Sequence, residues 1–363
     1  RPLKVSFAEL TEAAQKMGAD KNNPPPESVA TFVGFMTDVF QAFKSTPLNM
    51  DGLDCSGTGE DNKPFQLKIG GLTMDGYQPG IYPAITVKDV KIGGGGEDAI
   101  SLASATFKAT DLSGPIKAVE AQGKDISPAW VEANYRKLIP AFGGFSMSGL
   151  TVDIPDPDKP GERVNANIAS LDLSLSDYLN GIPTKISTNA SGVEVPLPAS
   201  SDDENVKMLL GLGITKVNLG YELSANWDEA TQTVNITKVA VSGQDLGSFA
   251  VATVIGNAAP QLFDTDTNVA LAAAMGVTIK SITIDAADAG IGDKLVPALA
   301  AQQGADASTF RTQMAGMAEG AALQMLGSTD AARQLGTAVG DFIGGKAKAL
   351  TIMVTAKDPA GIA

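Results

Sequence analysis

The chain has 363 residues, 44% hydrophobic and 19% charged, which suits one large or two ordinary domains with packed cores and excludes a disordered composition. Acidic residues outnumber basic ones 41 to 27, and the net charge of −14 is spread without a basic run, so the surface is set against nucleic-acid phosphates and anionic headgroups. There is no histidine, which excludes Ser-His and Cys-His nucleophiles and His-ligated metals.

One cysteine, Cys55, sits among the carboxylates of DGLDCSGTGED. It allows no intrachain disulfide, and with no cationic neighbour it reads as a buried or idle thiol. No stretch reaches the ~18 apolar residues of a membrane-spanning helix. The start at Arg1 and the Gly-rich, Cys-poor composition lead us to expect an exported Gram-negative protein, periplasmic or surface-directed, whose signal peptide has been removed.

In chain order, residues 3–18 begin extended or helical and end at a capping Gly18. A polar, Pro-rich break follows at 19–27. Residues 27–44, ESVATFVGFMTDVFQAFK, repeat Val29, Phe32, Val33, Met36, Val39, Phe40 and Phe43 at helical spacing. The other face offers Thr31, Thr37, Asp38 and Gln41 in place of the lysines and arginines of a membrane-surface helix. This helix is therefore expected to pack inside the protein or to line an apolar cavity.

From about 49 to 115 the period becomes two, with Gly-rich turns between runs. Phe65, Leu67 and Ile69 share a face. Ile85 and Val87 share another, and at Lys88–Asp89 the phase moves to Val90 and Ile92, as a β-bulge would make it do. Ser127 and Pro128 open a helix over about 127–139. More strands follow, then a short acidic-led helix at 200–213. Tyr221–Gly243 forms a hairpin with Tyr221, Leu223, Ala225 and Trp227 on its dry face and a bulge near Thr237–Lys238. Two further strands precede three helical patterns, with Gly304 and Gly327 at helix ends, and ALTIMVTAKD forms a terminal strand.

Candidate chemistry is sparse. GDFIGGKA at 340–347 resembles a phosphate-binding loop but carries Ala347 where a hydroxyl is needed, and it ends a helix instead of opening one. DTDTN at 264–268 starts like a calcium loop, but Val269 and Met275 occupy the positions of its Gly and Glu. Two acidic loops, Asp153/Asp156/Asp158/Glu162 and Asp51/Asp54/Glu60/Asp61, read as solvated turns, with weak calcium binding as the alternative. GGGG at 93–96 reads as a flexible turn. No residue is assigned a catalytic or metal-binding role, and no cofactor is expected.

Four blocks carry a resemblance: LGLGITKVNLGYELSANWDEATQTVNITKVAVSGQDLGSFAVATVIG, SITIDAADAGIGDKLVPALAAQQG, STFRTQMAGMAEGAALQMLG and FIGGKAKALTIMVTAKDP. Over about 145–363 the chain resembles periplasmic Gram-negative envelope proteins of the AsmA-like and YdgA-like type. The resemblance implies a long, curved antiparallel sheet with packed helices, and a role in lipid handling, outer-membrane maintenance or scaffolding.

The expectation is thus an α+β protein. One domain covers 1–125; a second covers 126–363, with a helical region at 286–346 ending in a strand, and the two can equally be continuous. The expected function is non-enzymatic: an apolar ligand such as a lipid in a groove with Tyr221, Leu223, Trp227 and Phe249 on one side and Phe32, Met36 and Phe40 on the other. A scaffold or self-assembling surface subunit, with envelope proteins or its own copies as partners, is the alternative. A carboxylate-dependent hydrolase comes third.

Overall fold

The computed structural model describes residues 4–19, 25–59, 64–94, 97–123, 126–156, 161–327 and 329–361. Glu60, Asp61 and Asp158 of the acidic loops, Gly95 and Gly96 of the glycine run, and 20–24 of the polar break lie outside them. The protein is α+β, and its strands form one twelve-stranded antiparallel sheet and one small three-stranded sheet among the described residues.

The chain opens with helices α1 (Phe7–Ala19) and α2 (Pro26–Ala42), then strands β1 (Leu48–Thr58), β2 (Pro64–Met74), β3 (Ile81–Tyr82), β4 (Ile85–Gly94), β5 (Glu97–Phe107) and β6 (Thr110–Asp111). Helices α3 (Ser113–Gln122) and α4 (Pro128–Asn134) follow, the latter running into a 3-10 turn at Tyr135–Leu138. Next come β7 (Ala141–Phe142), β8 (Gly144–Pro155), β9 (Arg163–Leu179), β10 (Ile182–Pro196), α5 (Glu204–Gly211), β11 (Lys216–Asp228), β12 (Thr233–Gly243) and β13 (Gly247–Gly256). The chain ends with α6 (Thr267–Met275), β14 (Thr278–Asp288), α7 (Ile291–Gln302), α8 (Ala307–Leu326), α9 (Asp330–Ile343) and β15 (Ala349–Gly361). The large sheet runs β1-β2-β4-β5-β8-β9-β10-β11-β12-β13-β14-β15, and the small one β3-β6-β7. Neighbours in the large sheet are mostly consecutive hairpins, the cheapest connection for antiparallel strands.

The chain divides into two compact units. The first holds Arg1–Ile154, Leu171–Ser187 and Pro260–Ala274; the second holds Pro155–Ser170, Thr188–Ala259 and Met275–Ala363.

In the first unit the helical core is Ala30, Val119 and Ile126, with Val29, Val33, Trp130 and Leu138 packed around it. Ser127 caps α4 by accepting from the Trp130 N–H at 3.2 Å, as its position before Pro128 leads one to expect. The face of α2 departs from expectation. Ser28, Ala30, Thr37 and Asp38 are its buried residues, while Phe32 and Met36 are exposed. Asp38 is taken inward by the backbone N–H of Lys4, which donates to Oδ2 at 2.7 Å. The hydroxyl of Thr37 is satisfied locally, donating to the Val33 carbonyl at 2.7 Å.

The strands of this unit share one irregularity. Apolar residues pair across β2, β4, β5 and β8 in rows such as Leu72–Val87–Ala105–Met147 and Ile69–Val90–Leu102–Leu150. Between these two rows every strand carries two residues instead of one. The extra position is Gly52, Gly70, Asp89, Ala103 or Gly149 on successive strands, and Gly52, Asp89 and Gly149 have φ of 75°, 50° and 62°. The phase change at Asp89 is therefore real, but it is not a register-shifting bulge: the pairing skips Gly70 and Asp89 together and keeps one register from Lys88↔Gly71 to Val90↔Ile69. A left-handed residue absorbs the extra position on β1, β4 and β8, and because β2 and β5 between them also carry one extra residue, Gly70 and Ala103, the register survives. The residue opposite must be small. A Cβ on Gly70 would stand 2.7 Å from that of Asp89, and one on Gly149 would stand 2.8 Å from that of Ala103. In the second unit Gly192, φ 59°, likewise faces a small residue: a Cβ there would stand 2.6 Å from that of Ala169.

In the second unit the β11–β12 hairpin forms as its alternation predicts. The pairing jumps from Ser224↔Lys238 to Ala225↔Ile236, so Thr237 is the bulged residue. Its hydroxyl donates to the Ser224 carbonyl at 3.2 Å. Cys55, on strand β1 of the first unit, is an exposed free thiol and not a buried one.

Candidate functional site

The second unit contains a cleft of about 500 Å³, lined mainly by apolar side chains. The ends of β12, β13 and β14 form its floor. Val241 and Phe249 are register partners, and Phe249 pairs in turn with Ala286. Gly243, Gly247 and Asp288 pair two positions further on, where a Cβ on Gly243 would press on the Leu246 side chain and one on Gly247 on the Ala287 carbonyl. Leu246 rises from the β12–β13 turn. Ile291 and Val296 of α7, with Phe342 and Ile343 at the end of α9, supply the helical wall.

Charged groups at one end of this cleft are paired with each other. The Asp288 carboxylate accepts from the N–H groups of Gly290 (2.9 Å) and Gly292 (3.1 Å), which fixes the turn from β14 into α7. Lys348 donates to Asp288 and to Asp293, each at 3.0 Å. Arg311 donates to Asp293 at 3.1 Å and to the Gly292 carbonyl at 2.9 Å. Burial works to raise the pKa of Asp288, but the two N–H groups and Lys348 outweigh it and hold the carboxyl below the usual range. Lys348 and Arg311 lower Asp293 in the same way. These four charges cancel and are committed to each other, so apolar area is the main thing the lining offers a guest.

That area is open. Val241 is 58% exposed, Phe249 47% and Tyr221 41%, although alternation marks them as a dry face.

The residues singled out from sequence fall as follows. Phe32, Met36 and Phe40 lie on α2 of the first unit; Tyr221, Leu223, Trp227 and Phe249 lie in the second. Tyr221 and Phe249 share one row through Val241, and Leu223 takes the next row, opposite Val239. Phe249 lines the cleft. Tyr221 lines a more polar neighbouring cleft, and its hydroxyl lies 3.2 Å from that of Thr188. Trp227 is anchored at the other end of β11 by its indole N–H, which donates to the Ala258 carbonyl at 2.7 Å. Sequence reasoning missed Leu246, Ile291, Val296, Phe342 and Ile343. For Phe342 and Ile343 the signal was the Phe-Ile pair of GDFIGGKA, a segment weighed as a phosphate loop against a helix end.

That segment is a helix end. Gly344 caps α9, Gly345 has φ 73°, and Lys346 pairs with Asp341 at 3.1 Å. The DTDTN carboxylates cap turns: Asp264 accepts from the N–H of Asp266, and Asp266 from that of Asn268, both at 2.8 Å.

A family model described only as an uncharacterized protein matches residues 240–363, which include Val241, Leu246, Phe249, Ile291, Phe342 and Ile343 of the apolar cleft but not Tyr221. No curated protein and no solved structure matches the chain.

Proposed function

We propose that this chain is a non-enzymatic binding protein of the cell envelope that takes an apolar chain, such as the acyl chain of a lipid, into the cleft of its second unit. The observation that carries this reading is the half-open apolar row of Tyr221, Val241 and Phe249 beside a cleft whose charges are already paired. About ten buried methylenes would gain roughly 8 kcal/mol gross, and the cost of association takes back several of these. Roughly 4 kcal/mol net remains, so affinity near the millimolar range is the expectation. Displacement of a fluorescent fatty acid tests it: native protein should bind saturably, and Val241→Glu should weaken binding at least about tenfold with its melting curve unchanged. A native chain that binds neither long-chain fatty acid nor lysophospholipid sinks the proposal.

A second reading, a self-assembling subunit, is favoured by one feature. Strand β1 is an edge of eleven residues, exposed throughout, and it carries neither the lysine nor the proline with which sheets block edge pairing.

A further inference from the structure

The first unit holds a cleft of about 480 Å³ with the opposite character. Its walls come from the start of α3, the 3-10 turn after α4, β7, and the turn between β9 and β10. Lys117, Arg136 and Lys137 line it, with Asp111 as the one carboxylate. Three positive charges against one negative are unexpected in a chain of net charge −14.

The partners of these cations make the contrast sharper. Several lysines elsewhere are matched to acids: Lys68 to Asp54, Lys108 to Asp172, Lys216 to Glu194, Lys238 to Glu222, and Lys348 to two aspartates. Among the described residues, the cations of this cleft meet only neutral acceptors. Lys137 donates to the side-chain oxygen of Asn134 at 3.0 Å. Arg136 donates through Nη1 to the Asp264 carbonyl and through Nε to the Tyr135 hydroxyl at 3.2 Å. Asp111 is already engaged, accepting from the Ser113 N–H at 2.7 Å as α3 begins.

The backbone beneath Arg136 is held in place. Gly181, with φ 77°, lies so close to the Arg136 carbonyl that any Cβ there would collide with it. Asn180 ties the same turn to the Phe263 carbonyl at 2.9 Å. Arg136 is thus oriented by neutral oxygens that leave its charge uncompensated and its Nη2 edge without an acceptor among the described residues.

We propose that this cleft binds a phosphate group, with Arg136 offering its planar donor edge and Lys117 and Lys137 acting as point charges. Inorganic phosphate and the headgroup of an anionic phospholipid share this chemistry. A concave wall with an excess of positive charge concentrates such anions even on an acidic protein.

The experiment uses the full chain at low ionic strength. Inorganic phosphate is titrated by calorimetry, and sedimentation is measured with phosphatidylcholine vesicles made with and without phosphatidic acid. The double variant Lys117→Gln, Lys137→Gln alters two exposed side chains and is expected to weaken binding about tenfold. The control Lys216→Gln, Lys238→Gln makes the same charge change on lysines that do not line the cleft and should leave binding within about twofold, because the lost donors are ones the anion does not meet. Saturable binding of phosphate alone assigns a free anion; added retention on phosphatidic acid vesicles assigns a headgroup. Absence of both from the native chain, or equal losses in the two double variants, overturns the proposal.

Discussion

Asp288 shows how one carboxylate can hold a site together without acting in it. It joins the end of β14, the first turn of α7 and Lys348 through hydrogen bonds it accepts. Replacing it by Asn leaves the shape but removes the charge, and should cost about 1–3 kcal/mol. Urea unfolding followed by Trp227 fluorescence in a Trp130→Phe background measures this, since the chain has only those two tryptophans and Trp227 belongs to the second unit. The folded-state pKa of Asp288 is lowered, so on acidification the unfolded chain takes up the proton first. Its contribution is complete above about pH 4 and falls as the pH drops through the folded-state value. Asp288→Asn should lose less stability over that range than the native chain, and equal acid sensitivity would contradict the assignment. None of this was legible in the sequence, where Asp288 is one of 41 acidic residues. The same limit applied to α2. Its apolar spacing was plain, but Asp38 is buried because Lys4 brings an N–H to it from outside the helix, and no periodicity records that.

At the scale of elements, periodicity did most of the work. Helix α2, the capped α4 and the β11–β12 hairpin with its bulge all follow from local pattern and turn chemistry. Helix α3 was missed because SGPIKAVEAQ combines a Gly and a Pro in its first turn with few apolar residues, and α6 because its Asp-rich lead-in looked like a loop. The left-handed row gives the clearest test at this scale. Gly149→Ala must hold a side chain at φ 62° and press it against Ala103, so it should destabilise by more than about 1 kcal/mol. Asp89 occupies a similar conformation but already carries a side chain, and Asp89→Gly should be within about 1 kcal/mol of native. Equal effects in the two variants, measured by thermal unfolding, would show that backbone conformation does not decide this row.

For the whole molecule, charge and the exposed edge act together. At neutral pH the net charge of −14 opposes association; the calculated isoelectric point is near 4.5. If β1 mediates assembly, sedimentation velocity should show larger species as the pH approaches that value, and Leu53→Lys on the edge should suppress them. A native chain that stays monomeric at every concentration and pH would rule assembly out. The cleft was legible only in part, because residues far apart in sequence meet at the strand ends. The row of extra residues has a further consequence for how such a chain can change over time. A strand that lost its extra residue would match its neighbours on one side of the row and present the wrong face on the other. Single deletions there are therefore ruinous, and a hairpin added by duplication fits only if it brings its own extra residue at the same distance from the turn. That fixed spacing, two small or polar residues flanked by alternating runs, should identify relatives whose side chains have otherwise diverged beyond recognition.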